Sequence, residues 1–103
     1  MNREEHVEAI LGHLRDLLPD LRNRYRVDTL EVFGSRVRAD ARDSSRESDL
    51  DLLVTFTETP DLLTFIALEN ELSERLGVPV DLVMRRSLKP RLRDRILREA
   101  IPV

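Results

Sequence analysis

The chain has 103 residues, a mass of 12.0 kDa and a formal charge of −3 at neutral pH; 41% of it is hydrophobic and 36% charged. That length supports one domain, residues 1–103, with a small core beneath a densely charged surface, and is too short for two. It contains no cysteine, which excludes a disulfide framework, a zinc ribbon and a thiol nucleophile, and no apolar run approaches the roughly 20 residues of a membrane span. Arg3, Glu4, Glu5 and His6 occupy the start, so no signal peptide is expected, and the predicted location is the cytoplasm without membrane attachment.

Val7, Ile10, Leu11, Leu14, Leu17, Leu18 and Leu21 recur at helical spacing with charged residues between them, which predicts an amphipathic first helix. Pro19 is predicted to kink or interrupt it, with Pro19-Asp20 restarting a last turn towards Tyr25. His6 and His13 lie seven residues apart with no third ligand in view and read as surface histidines. Thr29 to Phe33 is β-favouring and is stopped by Gly34-Ser35. After the polar stretch from Arg36 to Ser48, Asp49 to Phe56 reads as the strongest strand.

Pro60-Asp61 then begins a second helix, with Leu62, Leu63, Ile66, Leu68, Leu72 and Leu76 mostly facing inward and Gly77 as its cap. Val78 to Met84 reads as a third strand, and Pro90 opens a final helix in which Leu92, Ile96 and Ala100 repeat every four residues. The order α-β-loop-β-α-β-α predicts an α+β fold, a small mixed β-sheet flanked by helices.

Charge is unevenly distributed. Residues 1–84 hold 10 basic against 18 acidic side chains, whereas residues 85–103 hold 7 basic against 2 acidic. The basic tail suits phosphate or an acidic partner, but there is little interleaved aromatic and no overall positive excess, so direct nucleic-acid binding is not expected.

Three features could carry chemistry. Asp49 and Asp51 fall on one face of the second strand, their α-carbons roughly 6.6 Å apart at the usual rise per residue. Two carboxylates heading an apolar strand repel each other, and a cation would remove that cost. Asp81, turned away from the Val80 and Leu82 face, would converge with them if the second and third strands are neighbours. Three carboxylates are hard ligands suited to Mg²⁺ or Mn²⁺. Gly34 lets a backbone approach a phosphate closely and Ser35 adds a hydroxyl. Each feature alone also fits ordinary strand ends and turns; together they are much more specific.

Leu30-Glu31-Val32-Phe33-Gly34-Ser35-Arg36-Val37-Arg38, then Ser48-Asp49-Leu50-Asp51-Leu52-Leu53-Val54, then Val80-Asp81-Leu82-Val83 and the tail from Leu88 to Val103, resemble the minimal nucleotidyltransferases of the DNA polymerase β-like superfamily. The resemblance implies a palm-like fold, with Gly34 and Ser35 holding the triphosphate of ATP and Asp49, Asp51 and Asp81 holding two Mg²⁺ ions (or Mn²⁺). Arg36 and Arg38 could neutralise phosphate charge. The family commonly pairs with a helical HEPN-domain toxin, so a Mg²⁺-dependent protein adenylyltransferase antitoxin, transferring AMP to a toxin tyrosine, is expected. Two alternatives stay open: a non-catalytic subunit that neutralises the toxin by binding, and a small-molecule nucleotidyltransferase of the aminoglycoside type.

Two departures from the pattern bear on the nucleotide loop. Arg36 to Ser48 spans thirteen residues where the family usually has ten, and Ala39 stands where glycine is usual. A rebuilt loop, with a bulge around Asp43-Ser44-Ser45, is expected.

Overall fold

A computed structural model describes residues 3–34 and 49–103. Its elements are helix α1 (Arg3–Tyr25), strand β1 (Val27–Phe33), strand β2 (Leu50–Phe56), helix α2 (Leu62–Leu76), strand β3 (Val80–Met84), a single 3₁₀ turn (Arg85–Ser87), helix α3 (Pro90–Glu99) and strand β4 (Ile101–Pro102). The strands form one sheet in the order β3-β2-β1-β4. β1 runs antiparallel to β2 and β4, and β2 runs parallel to β3, so the sheet is mixed as expected.

The core lies on one face of this sheet. Leu30 and Val32 of β1, Leu50, Leu52 and Val54 of β2, and Val80 and Leu82 of β3 are buried there against α1 and α2. From α1 come Ile10, Leu11, Leu14, Leu17, Leu18 and Leu21, and from α2 Leu68 and Leu72. Of the two expected effects of Pro19, interruption does not occur, since α1 runs through it to Tyr25. Proline inside a helix costs about 3 kcal/mol, but Leu17 and Leu18 before it and Leu21 after it bury in the same core, and that packing outweighs the lost hydrogen bond. The helix stops at Arg26, which adopts a left-handed backbone (φ 63°) and whose carbonyl accepts from Thr57 N at 2.8 Å.

A polar bridge fixes α1 to α2. Arg24 donates to Asp20 and to both oxygens of Glu71, and the Tyr25 hydroxyl donates to Glu71 Oε1 at 2.8 Å. The hydrogen bond from Arg24 holds the Glu71 carboxyl below the usual glutamate range. Partial burial, followed by the bond to Glu71, pushes the Tyr25 hydroxyl above its ordinary value.

α2 starts and ends as its sequence predicts. Asp61 caps the start by accepting from Thr64 N at 2.8 Å, and Gly77 ends it at φ 73°. Its first turn differs from expectation. Leu62, Leu63 and Ile66 point to solvent, at 72%, 79% and 41% exposure. The inward stripe is Phe65, Leu68, Leu72 and Leu76, because Phe65 packs on Phe56 of β2 with ring centroids 6.2 Å apart and so sets the rotation of the helix.

α2 also finishes one edge of the sheet. β3 is an edge strand, and two of its N–H groups are met by α2 side chains: Val80 N donates to Ser73 Oγ at 2.9 Å and Leu82 N to Glu69 Oε2 at 2.8 Å. At the other edge β4 was not foreseen. Two residues, one of them proline, carry too little strand signal, yet Pro102 is tolerated on an edge and Val103 N extends the pairing to Leu30 O at 3.0 Å. α3 consequently ends at Glu99, with Ala100 as its cap rather than its last repeat. No described helix is long and apolar enough to cross a membrane.

Candidate functional site

Strand alternation gives the second face of the sheet a different chemistry. Phe33 of β1, Asp51 of β2 and Asp81 of β3 are consecutive partners across three strands, with Phe33 opposite Asp51 and Asp51 opposite Asp81. Neighbouring strands lie about 4.8 Å apart, so the two aspartates stand side by side at the same level of the sheet. Asp51 is partly buried and Asp81 exposed. Asp49 immediately precedes β2 and is exposed. The expected adjacency of the second and third strands therefore holds, and it pairs Asp51 with Asp81. Among the described residues no three His, Cys, Asp or Glu side chains form one group able to share an ion.

Gly34 ends β1 with φ 85°, a left-handed backbone that favours glycine. A Cβ at this position would lie 2.0 Å from Asp51 Oδ2. The Asp51 carboxylate therefore stands directly against the Gly34 α-carbon, on the side where any other residue would carry its side chain. The turn and the acidic strand are thus fitted to each other, and the absent side chain lets Asp51 stand where it does. Ser35, Arg36 and Arg38 lie outside the described residues, as do Ala39 and the stretch Asp43-Ser44-Ser45.

The sequence reading missed the opposite wall. A cavity of about 360 Å³ is bounded by Phe33, Gly34 and Asp51 on the sheet side and by Leu92, Arg95, Ile96 and Glu99 of α3. These four recur at i, i+3, i+4 and i+7, one face of a helix. That spacing is legible in the sequence, but Arg95 and Glu99 are charged and interrupt the apolar repeat of Leu92 and Ile96. Arg95 Nε donates to Glu99 Oε1 at 3.4 Å within this wall.

The donor chemistry of Asp51 and Asp81, carboxylates paired on adjacent strands, suits a hard divalent cation, and Asp49 adds a third carboxylate just before β2 that the structure does not group with them. A site of this kind can hold a metal–nucleotide and align a hydroxyl against a phosphorus.

The family described as polymerase beta, nucleotidyltransferase matches residues 16–103. The chain is similar to protein adenylyltransferase MntA of Thermococcus cleftensis, 45% identical over 100 residues that cover 96% of this chain and 94% of the relative. It is similar to a solved structure that carries the name minimal nucleotidyltransferase, with 42% identity, a TM-score of 0.68 and coverage of 100% of this chain and 97% of the other. A chain from the complex of a tri-AMPylated Shewanella oneidensis HEPN toxin with MNT antitoxin shares the fold, with a TM-score of 0.58 at 23% identity over 98% of this chain and 71% of its own.

Proposed function

The chain belongs to the polymerase β nucleotidyltransferase family, and from that membership we propose that it is an antitoxin that transfers AMP from ATP to a tyrosine hydroxyl of a partner HEPN toxin. The observation that carries this reading is the registered pair Asp51 and Asp81 fitted against the Gly34 turn, in a chain 45% identical to a protein adenylyltransferase. The tri-AMPylated toxin in the Shewanella complex supports the acceptor class.

Asp49, Asp51 and Asp81 would hold Mg²⁺, two ions by the family pattern, or Mn²⁺ in its place. When bound, such ions neutralise triphosphate charge and acidify an acceptor hydroxyl. Gly34 and Ser35 would seat the triphosphate, and Arg36 and Arg38 would offset its charge. In the transfer the acceptor oxygen bonds to the α-phosphorus as the α–β bridging bond breaks and pyrophosphate leaves. The hydroxyl proton passes to a carboxylate of the site or to water. A binding subunit has no physical need of paired carboxylates, which disfavours neutralisation by binding alone.

The test is the intact mass of the toxin after incubation with this protein, ATP and Mg²⁺. Gain of whole AMP units is expected. A stable complex with unmodified toxin would replace this reading with neutralisation by binding.

A further inference from the structure

We infer that Arg95, on the α3 wall of the site cavity, binds the polyphosphate tail of the nucleotide, an inference that rests on the nucleotidyl-transfer reading above. Among the described residues that line the cavity, Asp51 and Glu99 are anionic and Arg95 is the single cation. A nucleoside triphosphate brings several negative charges into a space already flanked by two carboxylates. A cation on the facing wall offsets that repulsion whether or not metal is bound. The other lining side chains, Phe33, Leu92 and Ile96, are apolar, so Arg95 is the group on the α3 wall able to meet an anion.

Arg95 is equipped for the contact. Its side chain is 56% exposed, and among the described residues only Nε is engaged, to Glu99 at 3.4 Å. The two terminal nitrogens remain to form the paired, parallel hydrogen bonds that guanidinium makes with phosphate oxygens. The pair with Glu99 spans one helical turn and is solvent-exposed, so it is weak and gives way to a phosphate. Glu99 thus competes with an incoming phosphate for the guanidinium.

Calorimetric titration of the full chain with ATP, ADP and AMP, each with Mg²⁺, tests this. Arg95→Gln is expected to weaken ATP and ADP at least tenfold and AMP less than twofold, because only the longer tails reach the guanidinium. Glu99→Gln should tighten ATP two- to threefold by removing a competing carboxylate, a sign that a merely structural pair would not give. If Arg95→Gln melts early, Arg95→Lys decides: it keeps the charge but not the fork, and should weaken ATP three- to tenfold while sparing AMP. ATP affinity within twofold of wild type in the deciding variant, or equal loss for all three nucleotides, overturns the inference and leaves the proposed function standing. A wild-type chain that binds none of the three overturns both.

Discussion

Leu30, Val32, Leu50, Leu52, Val54, Val80 and Leu82 form one face of the sheet, and none is more than 7% exposed. The other face of the same strands presents Asp51, which lines a cavity walled by α3, and Asp81 opposite it on β3. Residues one position apart in sequence therefore serve opposed demands. The packed face gains free energy from every methylene it removes from water. The acidic face keeps like charges together, which folding alone does not favour. Substitutions on the two faces should accordingly separate activity from stability.

The largest effect is expected on the acidic face. Asp81→Asn should lower AMP transfer by about 10²–10³-fold or more, the scale of removing one electrostatic contact to a transition state. Its melting temperature should stay level or rise as carboxylate repulsion is relieved. The toxin complex should still form, and protection of cells should be lost. Full protection by this variant, with no AMP on the toxin, would mean that the acidic face is not catalytic.

The packed face should behave inversely. Leu14→Ala removes a fully buried side chain. It should cost about 2–5 kcal/mol, read as a lower denaturant midpoint. Nucleotide affinity of the molecules that remain folded should be unchanged, and a selective loss of ATP binding would erase the distinction between the faces.

Gly34→Val sits where the two demands meet. A left-handed backbone costs a β-branched residue at least about 1–2 kcal/mol, and the new Cβ collides with the Asp51 carboxylate. Moderate destabilisation with disproportionate loss of ATP-dependent thermal stabilisation is expected. Wild-type ATP binding in this variant would reduce Gly34 to a simple turn.

The smallest effect belongs to the α1–α2 bridge, remote from either demand. Tyr25→Phe should cost about 1 kcal/mol at neutral pH, the value of one hydrogen bond. Because folding raises the Tyr25 value above its ordinary 10.0, this contribution is complete below about pH 10 and is lost as pH rises through the folded value. Glu71 has the opposite sign: its value is depressed, so its contribution is present above the ordinary 4.5 and fades as pH falls through the folded value. Melting curves of wild type and Tyr25→Phe should therefore converge in alkali. A gap that persists in strong alkali, where the Tyr25 hydroxyl is fully ionised, would argue against the hydrogen bond to Glu71.

How much of this was legible in the sequence varies element by element. β2 and β3 were readable because period-two alternation isolates Asp51 and Asp81 within apolar runs. The first turn of α2 was misread because Leu62, Leu63 and Phe65 are all apolar, and only the contact of Phe65 with Phe56 decides the rotation. The interruption expected at Pro19 is absent because local propensity says nothing about the burial of Leu21 beyond it. β4 had too few residues to carry a pattern. The site was half legible: its acidic strands are a local signal, whereas the α3 wall arises only when the chain returns across the sheet to β4.

The contacts of Glu69 and Ser73 with β3 bear on how this protein meets other molecules. A sheet edge with unspent N–H groups is a template on which a strand from another chain can grow, the usual start of ordered aggregation. Here the N–H groups of Val80 and Leu82 are already spent on side chains of α2, with bonds of 2.9 and 2.8 Å. A polypeptide seeking that edge must first displace a carboxylate and a hydroxyl held on a packed helix. Recognition at β3 is thereby turned away from backbone pairing, and the strand that carries Asp81 can lie at the rim of the sheet without serving as a seed for its neighbours.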